Sequence, residues 1–513
     1  MKALLMYRDR DFDLQRELPW NGGDLTKDLE LDMLFGGMAG GDSFLFDVAK
    51  RAVLCSLKDT DTILYRQHIL SDCLDNPLIV RSIYDLAVEA IANEKRNYWG
   101  ISSGYPDSIL YRSREVLQMF VGMLRRLRAI ADEHADKFQS EGFTRFFQML
   151  GTELSDEYIA GVQAHLKEMK FRRGVLISAD LGQGNRGTNY VLRKPHDKRG
   201  GWVEQITERI VGDGIPSYTY CVPDRDESGS RALSELKDRG LNLVANALAQ
   251  SNDHILSFFK MLRTELAFYV GCLNLQGQLA RKGEPLCFPV PTLAGERRHA
   301  FTGLYDVCLS LRLPQRVVGN DVDADGSDLV IVTGANQGGK STFLRSIGLS
   351  QLMMQCGMFV GAASFCANLC EGLFTHYKRE EDAAMESGKL DEELSRMSDM
   401  ADHLSPNCMA LFNESFAATN EREGSEIARQ IVCALLEKGI EVFFVTHLYQ
   451  FAHSFYNSQL RSAVFLRAQR ELDGSRTFRL VEGEPLEASY GEDVYHKIFE
   501  GDLPSAVRLE TTD

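Results

Sequence analysis

No two of the 11 cysteines form a Cys-x-x-Cys pair, and their number is odd. That argues against a disulfide framework and for buried, reduced thiols. Cys366 and Cys370 stand one helical turn apart, but no histidine or second cysteine pair completes a zinc set beside them. The sequence also lacks any uninterrupted apolar run of the roughly 18 residues that a membrane-spanning helix requires. Its amino terminus reaches Arg8-Asp9-Arg10 too soon for the apolar stretch of a secretory signal. A soluble, cytoplasmic chain with no membrane partner is expected. Positive charge is in deficit, with 57 Lys+Arg against 73 Asp+Glu and a net charge of −16. The surface as a whole therefore repels nucleic acid, and any such contact has to be a local basic patch. Internal repeats and low-complexity tracts are absent, and 44% hydrophobic with 25% charged residues is the balance of an ordinary globular protein. At about 100 to 200 residues per domain, the length predicts three or so domains.

Apolar residues that recur on one helical face at Ile63, Ile69, Leu70 and Leu74, and three and four apart at Val116, Phe120, Leu124 and Leu127, predict bundle helices over residues 44–147. Between 171 and 222 the pattern changes to short β-like pieces, Gly174-Val175-Leu176-Ile177-Ser178 and Tyr190-Val191-Leu192, around the Gly-rich turn 182–187. An insert is expected there. Helical periodicity resumes over 232–275 with Leu241, Val244, Leu248, Ile255, Phe259, Leu262, Leu266, Tyr269 and Leu273 on one stripe. A helix of that length is a lever or spacer; Gly240 and Ser251-Asn252-Asp253 are the places where it would break. A boundary is expected at 285–300, around Pro289 and Pro291. Beyond it, fully apolar runs at 329–332, 409–412 and 442–445 alternate with helical segments, the pattern of a parallel sheet covered on both faces.

The strongest motif is Gly334-Ala335-Asn336-Gln337-Gly338-Gly339-Lys340-Ser341-Thr342. It satisfies G-x-x-x-x-G-K-[ST] between a predicted strand and a predicted helix, where glycines let backbone N–H groups turn onto phosphate oxygens. Lys340 then reaches the β- and γ-phosphates, and Ser341 binds Mg²⁺. The second apolar run ends in Asn413-Glu414, at the strand edge where a ligand sits in such sheets. Glu414 is the residue expected to orient or deprotonate the attacking water. The third run ends in Thr446-His447, which puts His447 within reach of the γ-phosphate or that water.

These residues carry a family resemblance. The run from Val332 to Thr342, Glu414 followed by Thr419-Asn420-Glu421-Arg422-Glu423-Gly424, and Val445-Thr446-His447 resemble the ATPase domain of the MutS mismatch-repair family, an ABC-type ATPase. Ser489-Tyr490-Gly491 and Leu503-Pro504 are similar to that family's closing segment. Tyr65-Arg66-Gln67 after Leu54-Cys55-Ser56-Leu57 is similar to the start of its helical core, and 232–275 looks like its lever helix. The fold so implied is multidomain: an α-helical core and lever with a small β-containing, clamp-like insert, then an α/β P-loop ATPase domain. The corresponding layout is a lead segment 1–40, helical core 41–170, clamp-like insert 171–225, lever helix 226–295, and ATPase domain with carboxyl-terminal dimerisation segment 296–513.

The resemblance further implies ATP and Mg²⁺, a homodimer, and composite sites completed from the opposite subunit. Ser387 and Gly388, inside the charge-rich stretch 380–389, would make that trans contact, although a stretch so charged also reads as a plain solvated loop. Asn336 matches the family's Asn in the phosphate loop. In the clamp-like insert Arg172, Arg173, Arg186, Arg193 and Lys194 form a basic cluster suited to DNA phosphates, or to an ordinary solvated face.

Three departures matter. Asn413 stands where the family has Asp, so Mg²⁺ is held by a neutral amide oxygen and hydrolysis is expected to be slow. After Ser387-Gly388 comes Leu390-Asp391-Glu392 in place of a Ser-Thr-Phe run. The family reads mismatches with an amino-terminal Phe-x-Glu wedge, whereas here Phe-x-Glu occurs at Phe412-Asn413-Glu414. With residues 1–40 ahead of the core, a core and motor without its reader is expected, leaving that role to a separate protein. The leading expectation is a DNA-binding, MutS-like ATPase dimer. The alternative is a nucleotide-dependent scaffold or ribosome-associated ATPase, and a metabolic kinase is a weaker third, since long helices point to mechanical coupling.

Overall fold

The computed structural model describes residues 1–98, 106–171, 174–193, 219, 221–223, 225–334, 338–379, 388–470 and 476–485. Among them the chain is helical with mixed sheets and separates into two compact units. Residues 1–3, 78–138 and 143–263 form one unit; residues 4–77, 139–142 and 264–513 form the other.

The first unit is mainly helical. It contains α5 (Pro77–Tyr98, from Leu78 on), α6 (Pro106–His134), α7 (Glu141–Glu153, from Phe143 on) and α8 (Asp156–Glu168). Phe120 of α6 stacks on Phe259 at 5.9 Å between ring centroids. The β-like pieces of the insert form one antiparallel hairpin, β1 (Leu176–Leu181) and β2 (Gly187–Arg193).

Helix α9 (Glu227–Arg281) is a single element of 55 residues, with Glu227–Arg263 assigned to the first unit and the rest to the second. At 1.5 Å per residue it extends about 80 Å. Neither of the breaks expected from the sequence occurs. At Gly240 a β-carbon would stand 2.5 Å from Ile177 Cδ1, so the glycine is where the hairpin lies against the helix. At the polar stretch Ser251 Oγ donates to Ala247 O and Asn252 Nδ2 donates to Ser113 O, so these side chains are satisfied without unwinding a turn.

In the second unit, α1 (Gly22–Asp28), α2 (Leu31–Ala39), α3 (Ser43–Leu54) and α4 (Thr60–Asp75) accompany two sheets. Tyr65, Arg66 and Gln67 on α4 all serve as donors to distant carbonyls. Tyr65 Oη reaches Leu4 O, Arg66 Nε and Nη1 reach Met6 O and Cys356 O, and Gln67 Nε2 reaches Pro289 O. Arg66 is 1% exposed, its charge spread over these carbonyls and the Tyr7 ring 4.6 Å away.

One sheet has the order β12-β11-β6-β10-β9-β8, from β6 (Leu329–Thr333), β8 (Leu373–Tyr377), β9 (Met409–Asn413), β10 (Glu441–Val445), β11 (Ala463–Arg470) and β12 (Arg476–Glu482). All neighbours are parallel except β11 and β12. β6 and β10 are buried along their whole length and β9 up to Phe412, which explains the unalternating apolar runs at 329–332, 442–445 and 409–412. Leu329, Ile331, Ala410, Phe412, Val442 and Phe444 share a core with Met397 and Met400 of α12 (Lys389–His403) and Ala428, Val432 and Leu435 of α13 (Glu421–Glu437). α11 (Lys340–Gln355) approaches the sheet so closely that a β-carbon at Gly348 would lie 2.8 Å from Leu411 Cδ1. The other sheet, β3-β7-β4-β5, combines β3 (Val290–Thr292), β4 (His299–Leu304), β5 (Asn320–Asp323) and β7 (Ser364–Asn368). A buried pair joins the sheets, His299 Nδ1 facing Glu441 Oε1 at 3.4 Å.

Candidate functional site

β6, β9 and β10 run parallel and end on the same edge, which collects the three sequence runs at one place. From β6 the chain turns at Gly334, φ +116°, where a β-carbon would meet the Ala468 amide nitrogen at 2.9 Å. It enters α11 through Gly339, φ +90°, the residue preceding Lys340. Both positions exclude ordinary side chains, one by crowding as well as by φ. Lys340 is buried, and its Nζ donates to Gly334 O at 2.6 Å, spanning the loop. Burial pulls the Lys340 ammonium below its ordinary range, and Glu414 opposes that shift.

Gly338, Gly339, Lys340, Ser341, Thr342 and Glu414 line one cavity of about 440 Å³. Ser341 Oγ donates to Asn413 Oδ1 at 2.9 Å, so the helix start and the end of β9 meet through two neutral oxygen groups. Glu414 follows in the left-handed region, φ +53°, with its amide on Val445 O. Its Oε1 lies 3.7 Å from His447 Nδ1. The His447 side chain holds the Glu414 carboxyl below the usual range against the cost of burial, aided by Lys340 and Lys378. The edge therefore presents a half-buried, ionised carboxylate opposite a buried ammonium. With Ser341 and Asn413 as hard oxygen donors, it suits a phosphorylated ligand with a divalent cation of the Mg²⁺ type.

The sequence did not expose the far wall of this cavity, which is formed by Leu309, Leu313, Val317, Val318 and Phe478 together with Arg316. Asp306, which also lines the cavity, caps α10 (Val307–Arg312) by accepting from the Leu309 amide and pairs with Arg345 of α11. Arg345 also pairs with Glu30, as does Arg312. Nothing in the local pattern around Asp306 marks it, because its partner is brought by the fold.

Of the remaining site residues, Arg186 and Arg193 belong to the first unit. Arg186 and Arg193 are exposed on the hairpin, where Arg193 Nε donates to Ser178 Oγ. Gly388 is the residue preceding α12. Asn336, Arg172, Arg173, Lys194 and Ser387 lie outside the described residues, as does the closing segment with Ser489-Tyr490-Gly491 and Leu503-Pro504. No described helix is long and apolar enough to cross a membrane.

Residues 58–282 match the family model described as the MutS2 N-terminal domain, and residues 330–508 match MutS domain V. Among curated proteins, the DNA mismatch repair protein MutS of Leuconostoc citreum is 27% identical over 357 residues, 66% of this chain and 41% of that protein. MutS protein homolog 4 of Mus musculus is 24% identical over 314 residues, 58% of this chain and 31% of its own length. Endonuclease MutS2 of Lacticaseibacillus casei is 30% identical over 177 residues, 34% and 22% of the two chains. The matches thus span between 22% and 41% of these relatives' lengths.

Proposed function

This chain belongs to the MutS family, and on that premise we propose that it is an ATP-binding and ATP-hydrolysing homodimer acting on DNA. The observation that carries the reading is the convergence of Gly338, Gly339, Lys340, Ser341 and Glu414 on one cavity. Gly334, Asn336, Gly338, Gly339 and Thr342 cradle the phosphates, and Lys340 neutralises the β- and γ-oxygens. Ser341 and Asn413 hold Mg²⁺, which supplies charge neutralisation on the triphosphate. Glu414, kept ionised by His447, accepts a hydrogen bond from the water that attacks the γ-phosphorus, and His447 fixes the carboxylate's direction. Ser387 and Gly388 reach the partner's nucleotide. Arg172, Arg173, Arg186, Arg193 and Lys194 contact DNA phosphates without reading sequence, and α9 transmits the nucleotide state to them.

The test is ATP uptake and turnover by the full chain, alone and with plain, mismatched or branched duplex. Lys340→Ala is expected to abolish uptake, and Glu414→Gln to bind ATP and stop turnover. Uptake that survives Lys340→Ala, or turnover indifferent to every DNA, counts against the reading. Asn413 and the net charge of −16 favour one alternative, a scaffold or ribosome-associated factor that ATP locks as a dimer. It predicts dimers that persist with Glu414→Gln and no salt-sensitive DNA binding.

A further inference from the structure

The backbone leaving β9 takes the left-handed conformation twice within three residues, at Glu414, φ +53°, and Phe416, φ +61°. L side chains adopt it at a cost, and such an elbow persists only where its surroundings over-determine it. The Glu414 amide is held by Val445 O at 2.9 Å, and Ser415 Oγ donates to His376 O at 2.5 Å. The buried Phe416 amide donates to Glu393 Oε2 at 2.9 Å. Behind the elbow, a β-carbon at Gly424 would lie 2.3 Å from Phe416 O, so α13 presses on the same peptide.

Glu393, on α12, braces this elbow twice. Its carboxylate takes the Phe416 amide, and its main-chain carbonyl faces His376 Nε2 at 3.0 Å. A carbonyl only accepts, so Nε2 carries the proton of the neutral ring, and Nδ1, 2.8 Å from Ser415 Oγ, shares with His376 O the one hydroxyl proton that Ser415 can donate. Burial, and after it Arg396, lowers the His376 pKa to about 4, which keeps the ring neutral. Glu393 thus fixes both the residue after Ser415 and the ring that holds Ser415, and Ser415 directly follows Glu414.

We propose that Glu393 is a positioning residue for Glu414, setting the elbow that aims the Glu414 carboxylate into the phosphate cavity. This inference rests on the ATPase reading above. It makes the acceptor's reach, and not its charge, the requirement. Glu393→Gln keeps an amide oxygen at the same distance from the Phe416 amide; Glu393→Asp keeps the charge and withdraws it by one methylene.

The experiment measures single-turnover ATP hydrolysis and, separately, ATP affinity for the full chain carrying Glu393→Gln, Glu393→Asp or Glu393→Ala. A misplacement of about 1 Å costs on the order of 100-fold in rate, so Asp and Ala should lose about 10- to 100-fold in turnover while ATP affinity stays within about twofold. Gln should retain most of the wild-type rate. Wild-type turnover in all three variants, an Asp variant faster than the Gln variant, or affinity falling in step with rate would each overturn the proposal. If the unaltered chain binds ATP and hydrolyses none, the ATPase reading itself fails, an outcome distinct from these.

Discussion

Ser341 donates its hydroxyl proton to Asn413 Oδ1 over 2.9 Å, tying the first turn of α11 to the end of β9 through a neutral pair. Replacing Asn413 with Asp would put a formal charge on that acceptor without changing its size. A hydrogen bond or cation contact to a charged group exceeds its neutral counterpart by about 1 kcal/mol, so Asn413→Asp should tighten Mg²⁺ dependence roughly 5- to 10-fold. A Mg²⁺ titration of ATP turnover checks this, and Ser341→Ala should shift it the opposite way.

Arg345 sits between two carboxylates, Asp306 and Glu30, and the Asp306 side chain is fully buried. Burial already raises the Asp306 pKa despite the guanidinium beside it. Removing one partner of such a pair strands the other, at about 3 to 5 kcal/mol. Arg345→Ala should therefore lower the unfolding free energy by that order, read as a lower urea midpoint, and because Asp306 caps the helix that carries Leu309, it should also weaken ATP affinity. Arg345→Lys, which reaches one carboxylate at a time, should fall between. Equilibrium unfolding and nucleotide titration of the same samples separate the two effects.

The elements around this site were legible where a local pattern sets the structure. Fully apolar strands predicted the sheet, and Lys340, Asn413, Glu414 and His447 follow those strands by a fixed few residues, so parallel pairing brings them to one edge. Asp306, Phe478, Glu393 and His376 were not legible, because each is defined by a partner remote in sequence. A buried histidine held by Ser415 and the Glu393 carbonyl has no signature of its own. In α9 the sequence misled for the same reason. Gly240 and Ser251 carry poor helix propensity, and tertiary contact overrides it.

His376 gives a pH signature. Its ring is 1% exposed, with its pKa lowered to about 4 by burial and by Arg396, while the unfolded chain binds the same proton near the ordinary histidine value of about 6.5. Above pH 6.5 both states are neutral, and as pH falls from there toward 4 only the unfolded state gains the proton. Stability is therefore lost on acidification through that window, by about 2 kcal/mol between pH 7 and pH 5. His376→Asn removes the titrating group, so its unfolding midpoint should be lower than wild type at pH 7 and close much of that gap at pH 5. A gap that does not narrow would mean the ring is already charged in the fold.

Gly240 and Ile177 make the contact that lets a long helix carry a glycine. An added β-carbon would stand 2.5 Å from Ile177 Cδ1, 2.7 Å from its Cγ1 and 3.1 Å from its Cγ2, too close for one rotamer change to relieve. Alanine gains about 1 kcal/mol of helix propensity at an exposed site, but overpacking here costs about 1 to 3 kcal/mol. Gly240→Ala should therefore be neutral to destabilising by about 2 kcal/mol, contrary to what propensity alone dictates. Ile177→Ala opens the space that the new methyl needs, so the double variant should be more stable than the sum of the singles by about 1 to 2 kcal/mol. Because Ile177 pairs with Leu192 across the hairpin, amide exchange at those two residues reports the loss. Faster exchange in Gly240→Ala, restored in the double variant, locates the strain at this contact; exchange unchanged in the single variant would show that the hairpin does not depend on it.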